Sequence, residues 1–158
     1  MTGLNDYLKQ ISGQYRSGNA TEHTYRGELA RLIEEICPDI TATNEPKRQE
    51  CGAPDYIITR KDIPVGFIEA KDIGADLNAV EKSGQLKRYL ESLDNLILTD
   101  YLEFRLFRNG EKVSAVHIGI LEKGKIIPDK NQWPVFESFM KDFCNYQTQT
   151  ISSAEKLS

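Results

Sequence analysis

The sequence has few of the features that mark several common classes of protein. Its three cysteines, Cys37, Cys51 and Cys144, are scattered without metal-ligand spacing, so free thiols are expected rather than a disulfide framework. The two histidines, His23 and His117, do not complete a zinc site with them at any familiar spacing. No apolar run approaches membrane-spanning length, and the first residues lack the basic and apolar regions of a signal peptide. A cytoplasmic protein without membrane association is therefore expected.

Basic residues are also scarce for a protein that acts on nucleic acid. The chain has 20 Lys and Arg against 24 Asp and Glu, a net charge of −4. Freestanding DNA-binding proteins are more often basic, so this balance argues against autonomous DNA binding. It leaves open catalysis on DNA that a neighbouring domain delivers. The 158 residues suit one domain with a hydrophobic core, and they contain no internal repeat or Gly-rich phosphate loop.

The most informative stretch is GAPDYIITRKDIPVGFIEAKD, residues 52–72. Two segments rich in β-branched and aromatic residues flank a polar turn near Asp62, a pattern that predicts a β-hairpin. Antiparallel pairing around that turn places Asp55 opposite Glu69. Because side chains alternate along a strand, Lys71 then shares a face with Glu69. Two carboxylates and an ammonium are expected at the open end of the hairpin, where folding alone gives no reason to gather charge.

Such a cluster suits metal-assisted hydrolysis. Asp55 and Glu69 offer hard oxygen ligands, which favour a hydrated divalent cation such as Mg²⁺, with Mn²⁺ as a substitute. The backbone carbonyl of Ala70 could supply a further oxygen. Lys71 would orient the attacking water or stabilise charge that develops on a phosphate. The alternative is a surface hairpin end that carries a salt bridge, but the Pro-Asp, the strand–turn–strand and the Glu-Ala-Lys occur together and in register, which favours a site.

Pro54-Asp55 followed by Glu69-Ala70-Lys71 resembles the signature of the PD-(D/E)xK nucleases, the restriction-endonuclease-like superfamily. More narrowly, residues 21 to about 110 resemble the N-terminal nuclease domain of large single-chain restriction–modification enzymes, which precedes a helicase-like motor or a methyltransferase. The resemblance implies a Mg²⁺-dependent endonuclease that hydrolyses DNA phosphodiester bonds. In it, Asp55 and Glu69 are metal ligands and Lys71 is the catalytic lysine. Its partners are DNA and a fused or tethered motor or methyltransferase domain, with a transient dimer for cleavage of both strands.

The predicted helices before and after the hairpin contain further candidate site residues. Many members of the superfamily carry a helical glutamate that joins the metal site, and Glu28 is the candidate here, against an ordinary solvated acid. Gln85 and Tyr89 are four residues apart on one helical face and match the Gln-x-x-x-Tyr pair of nucleases that resemble phage and recombination exonucleases. This pair would bond a phosphate or the water network without adding negative charge, although a core tyrosine beside a polar residue gives the same pattern. Lys87 and Arg88 could meet the DNA backbone or lie on the solvated surface.

The remaining pattern predicts a mixed sheet flanked by helices, an α/β three-layer domain. NLILT at 95–99 is predicted as a buried strand parallel to the second hairpin strand, reached through a crossover helix at about 77–93. Asn109-Gly110 predicts a turn between strands at 102–108 and 113–121. Further elements are predicted at about 1–14, 21–37, 39–46 and 132–146, the last with an apolar face of Trp133, Val135, Phe136, Phe139, Met140 and Phe143.

The whole of residues 1–147 is interpreted as one nuclease-like domain, and residues 148–158 as a linker or disordered tail. Two other functions stay open. A non-catalytic domain of the same fold would contact DNA or dock a protein, because fold does not prove function. A stand-alone repair nuclease or resolvase would share the chemistry but work as a tight dimer. Because two close carboxylates repel each other, removal of either acid is expected to leave the metal-free domain at least as stable.

Overall fold

The structure is a computed structural model that describes residues 2–18, 22–44 and 53–147. Cys51, the basic pair at 47–48, the tail at 148–158 and the side chain of His23 lie outside the described residues. The helices are α1 (Thr2–Ser17), α2 (Glu22–Ile36), α3 (Leu77–Glu81), α4 (Gly84–Ser92) and α5 (Trp133–Cys144), the last after a 3₁₀ turn at Lys130–Gln132. The strands are β1 (Thr41–Asn44), β2 (Tyr56–Arg60), β3 (Ile63–Ala70), β4 (Asn95–Thr99), β5 (Glu103–Arg108), β6 (Glu111–His117), β7 (Gly119–Glu122) and β8 (Lys125–Pro128).

Six of the described strands form one mixed sheet in the order β1-β2-β3-β4-β5-β6. Strands β3 and β4 run parallel, and the other neighbours are antiparallel. Helices cover both faces, so β4 is buried along its length. Leu96 and Leu98 pack with Leu86 and Tyr89 of α4 on one face, whereas Ile97 joins the core that α1, α2 and α5 form on the other. This is the predicted α/β three-layer architecture, with the predicted crossover between parallel strands.

The β2–β3 hairpin has the predicted register. Tyr56 pairs with Ile68, so the next residues outward, Asp55 and Glu69, meet at its open end. The turn is Lys61-Asp62, and both residues have positive φ, 50° and 66°. Such turns match the right-handed twist of the two strands, so the turn helps to fix which residues face each other.

The predicted crossover helix is two helices. Ser83 begins the second, α4, and its Oγ accepts a hydrogen bond from the N–H of Leu86 at 3.2 Å. Serine and glycine are weak helix formers in a helix interior, and serine is strongly favoured as an N-cap. The helix therefore breaks after Glu81, and a new helix begins at Gly84.

The predicted strand at 113–121 is also divided. Ile118 turns into the core and donates its N–H to the carbonyl of Leu102 at 2.9 Å, which ends β6. Strand β7 then pairs with β8 in a separate hairpin that the sequence analysis did not predict. On α5, Val135 is 52% exposed and therefore does not belong to the apolar face, while the other five predicted residues of that face are buried.

Helix α5 is seated against the sheet at Gly66. A Cβ at this position would lie 2.6 Å from the ring of Phe143, so the close approach requires glycine. Asn95, buried in β4, donates from Nδ2 to the carbonyls of Val65 at 2.8 Å and Phe143 at 2.9 Å. This one amide therefore joins β3, β4 and α5.

The remaining isolated predictions concern cysteine, histidine and the membrane. Cys37 and Cys144 are free, as predicted, and both are buried. His117 lies 2.8 Å from Asp129 through Nε2, an ordinary polar pair at the surface. Within the described ranges, no helix is long and apolar enough to cross a membrane.

Candidate active site

The candidate site lies where β2 begins and the parallel strands β3 and β4 end. The N–H of Lys71 bonds the carbonyl of Thr99 at 2.8 Å, so β3 and β4 stay paired to their last residues. Asp100, the residue that follows β4, accepts hydrogen bonds from the backbone N–H groups of Leu102 at 3.1 Å and Glu103 at 2.8 Å. Asp100 therefore caps the strand end beside the site, and its side chain is engaged by the backbone.

Asp55 is fully buried and is held on both carboxylate oxygens. Its Oδ2 accepts the N–H of Ala70 at 2.7 Å, and its Oδ1 accepts Nη2 of Arg26 at 3.1 Å. The N–H of Asp55 in turn donates to Oε1 of Glu69 at 3.2 Å. The hairpin backbone thus ties the two acids to each other across its open end.

Glu69 is the less compensated of the two acids. Its Oε2 lies 3.2 Å from Nζ of Lys71, whose side chain is 30% exposed, so the cluster reaches solvent through the lysine. Burial, and after it the charge of Asp55, raises the pKa of Glu69 to about 7, against the lowering effect of Lys71. The pair of acids therefore favours an additional positive charge, a proton or a cation.

Helix α4 places Gln85 and Tyr89 beside this cluster. Gln85 accepts a hydrogen bond through Oε1 from Nζ of Lys71 at 3.4 Å. Burial, followed by the charges of Glu69 and Asp55, raises the pKa of Tyr89 to about 12. The tyrosine hydroxyl therefore stays protonated at neutral pH and can act as a donor. The predicted Gln-x-x-x-Tyr face does point toward the acids.

Glu28 is not brought to the cluster. It forms an ion pair with Arg31 and lines a separate cavity with residues of α1, among them Asp6. The physical reason is helical geometry, since Arg26 faces Asp55 and residues two apart on a helix do not share a face. Within residues 2–18, 22–44 and 53–147, no three acidic, histidine or cysteine side chains are placed together to hold a metal ion. The described acids at the site are the pair Asp55 and Glu69.

The predicted DNA-contacting residues differ from the arginines of the sheet in whether acids pair with them. Lys87 and Arg88 are exposed on α4, on the helix that carries Gln85 and Tyr89. The arginines of the neighbouring strands are instead occupied by acids, in the pairs Arg60–Asp39 (2.7 Å), Arg105–Glu103 (2.7 Å) and Arg108–Asp142 (3.4 Å). Arg60, Arg105 and Arg108 thus have structural partners that a DNA phosphate would have to displace.

Sequence reasoning missed Arg26. Its side chain is 2% exposed and, besides Asp55, reaches Oδ1 of Asn44 through Nη1 at 3.4 Å. The sequence does contain a signal, because Arg26 precedes Leu29 by three residues and Ile33 by seven and so lies on the apolar face of α2. A charge at such a position is buried at acceptable cost only when a partner is near.

The fold has a solved neighbour. A chain in a cryo-EM structure of a DrdV–DNA complex is similar to this chain, with a TM-score of 0.65 and 17% sequence identity. The match covers 98% of this chain and 14% of that chain. At this identity, the similarity shows the fold alone. No family model matches the chain, and no curated protein does.

Proposed function

We propose that this domain is an endonuclease that hydrolyses DNA phosphodiester bonds with Mg²⁺, and that it serves as the nuclease part of a restriction–modification system. The observation that carries the proposal is the meeting of two buried carboxylates and a part-exposed ammonium at the open hairpin end. Asp55 N and Glu69 Oε1 are 3.2 Å apart, as are Lys71 Nζ and Glu69 Oε2. The similarity to a chain that was solved with DNA supports DNA as the substrate, and the 14% coverage supports a tethered place in a longer protein.

The residues fit a hard divalent cation. Asp55 and Glu69 supply carboxylate oxygens, and Ala70 between Glu69 and Lys71 offers its backbone carbonyl. A cation beside Glu69 would relieve the repulsion that, together with burial, raises its pKa to about 7. When bound, Mg²⁺ or Mn²⁺ polarises the phosphate and lowers the pKa of water.

The side chains around the two acids would position the DNA phosphate and stabilise the charge that develops on it. Lys71 Nζ lies between Glu69 Oε2 and Gln85 Oε1, so its charge is held where negative charge develops on the phosphate. Gln85 orients this ammonium without adding a charge. Tyr89 donates from the same helical face. On the exposed side of α4, Lys87 and Arg88 meet the DNA backbone.

Three single substitutions test the proposal. Asp55→Ala, Glu69→Ala and Lys71→Ala are each expected to lower the rate of plasmid nicking at least about a hundredfold, the scale for loss of a metal ligand or a charge-stabilising group. The assay uses Mg²⁺ or Mn²⁺ and micromolar DNA to offset weak binding. Metal binding to each variant is followed by calorimetry without DNA.

The control is Glu91→Ala, which removes an exposed acid from α4 and should leave nicking unchanged. Full nicking by any one of the three site variants, with folding confirmed by melting, would show that the site is misassigned. If the wild-type domain binds DNA but shows neither metal binding nor phosphodiester cleavage, the non-catalytic alternative is favoured instead.

A further inference from the structure

We propose that Arg26 is a positioning residue for Asp55, holding that carboxylate in the orientation in which it binds a divalent cation. The inference rests on the proposed function, because it assigns Asp55 as a metal ligand. It concerns a residue that lies outside the Asp-Glu-Lys motif and on a different element, α2.

The first support is the way in which the Asp55 carboxylate is fixed. Arg26 holds Oδ1 at 3.1 Å, and the N–H of Ala70 holds Oδ2 at 2.7 Å. Two donors from different directions, one from α2 and one from β3, fix the rotation of the carboxylate plane. Loss of Arg26 would remove one of these two restraints on the carboxylate.

The second support is a reciprocal contact. The side chain of Arg26 holds Asp55, and the hydroxyl of the next residue, Tyr56, donates to the backbone carbonyl of Arg26 at 3.0 Å. The guanidinium also reaches Asn44 Oδ1 on the edge strand β1 at 3.4 Å. Helix α2 and strand β2 are therefore locked to each other at the residue that the site uses.

The third support is burial. Arg26 is 1% exposed and is the largest fully buried side chain among those described. A residue so buried cannot touch DNA, so any effect on the reaction is indirect, and Asp55 is the site carboxylate that its guanidinium contacts. Loss of a partner that orients a metal ligand typically weakens metal affinity or activity by about 10- to 100-fold.

The test is Arg26→Lys, which keeps the charge but loses the planar fork that contacts two acceptors at once. Calorimetric titration of the folded domain with Mn²⁺, without DNA, is expected to show about 10-fold or greater loss of affinity. In nicking assays at fixed Mn²⁺, kcat should fall while KM for DNA stays constant. Arg16→Lys, an exposed arginine on α1, is the matched control and should change neither quantity.

Several results would overturn the inference about Arg26. A lowered melting temperature with wild-type Mn²⁺ affinity and kcat would make Arg26 merely structural, and a raised KM for DNA with constant kcat would make it a DNA contact; both overturn the inference. If Arg26→Lys fails to fold, the second variant is Tyr56→Phe, which removes the hydrogen bond from the Tyr56 hydroxyl to the Arg26 carbonyl. It should also weaken Mn²⁺ binding. Unchanged Mn²⁺ binding by this variant would overturn the inference. A wild-type domain that neither binds Mn²⁺ nor nicks DNA refutes the proposed function itself, and the inference with it.

Discussion

At the scale of single residues, the two acids of the site have unlike surroundings. Asp55 is buried against the guanidinium of Arg26, whereas Glu69 faces the part-exposed ammonium of Lys71. The expectation that an acid can be removed without loss of stability is therefore kept as a prediction for Glu69 and not for Asp55. Replacing Asp55 breaks the buried ion pair with Arg26, and breaking such a pair by removing one partner is destabilising.

The pH dependence of stability should reveal Glu69. Its pKa is raised to about 7 in the folded domain, from an ordinary value of 4.5, so the folded state binds this proton more tightly than the unfolded state does. The contribution of this proton to the free energy of unfolding is fully present below about pH 4.5 and is lost as the pH rises through about 7. The loss is on the order of 3 kcal/mol, since one pKa unit corresponds to about 1.4 kcal/mol. Chemical denaturation with a chelator present, from pH 4 to 8, measures it.

Glu69→Gln is the matching variant, because a neutral amide of the same shape has no proton to lose. It should lose less stability than the wild type between pH 5 and 8 and be the more stable protein at pH 8. Parallel pH curves for the two proteins would contradict the raised pKa.

Residue-level prediction succeeded where the information was local. The positions of Asp55, Glu69 and Lys71 relative to one another follow from strand alternation and one turn, both visible in a 21-residue stretch. Arg26 and Asp55 are 29 residues apart, and their contact depends on how α2 packs on the sheet. No local pattern encodes that packing, so the sequence predicts that Arg26 needs a partner but not which one.

At the scale of elements, the helices with a sustained apolar face were predicted well, whereas the β7–β8 hairpin and the division of 77–93 into two helices were not. Helices α1, α2 and α5 each carry a sustained apolar face that a 3.6-residue period detects. In strands β7 and β8, of four residues each, the apolar residues are adjacent (Ile120-Leu121 and Ile126-Ile127), so no alternating pattern marks them. The division between α3 and α4 depends on one cap that a continuous helical reading of 77–93 overlooked.

That cap makes an element-scale prediction. Ser83→Ala removes the acceptor for the N–H of Leu86 and should destabilise the domain by about 1 kcal/mol, the usual cost of losing a serine N-cap. Because α4 carries Gln85 and Tyr89, nicking should weaken as its first turn frays. Urea denaturation measures the stability change. Ser92→Ala, at the exposed end of the same helix, is the control, and equal effects of both changes would contradict the capping role.

At the scale of the whole molecule, charge limits what the domain can do alone. Arg60, Arg105 and Arg108 are engaged by acids, and the net charge is −4. Among the described residues, Lys71 is the part-exposed cation within the site, and Lys87 and Arg88 are exposed on α4. A tethered nuclease accommodates this, because a neighbouring domain raises the effective concentration of DNA at the site.

The isolated domain is therefore expected to bind duplex DNA no more tightly than about 10 µM near physiological salt, within the range of non-specific binding. A salt titration of DNA binding, with Lys71→Ala to prevent cleavage, measures this affinity and its slope. Nanomolar binding at that salt would refute the tethered arrangement and favour a stand-alone nuclease or resolvase.

The contact of Gly66 and Asn95 with Phe143 also bears on how the protein is made. Phe143 lies 48 residues after Asn95, so the ribosome completes both hairpin strands and the whole of the candidate site before the ring that covers Gly66 exists. Until α5 emerges, the part of the β3–β4 face that α5 covers is exposed, and the Nδ2 group of Asn95 lacks the Phe143 carbonyl. The acids and the lysine of the site are therefore synthesised well before α5, and the sheet beneath them is fully covered only once α5 has emerged from the ribosome.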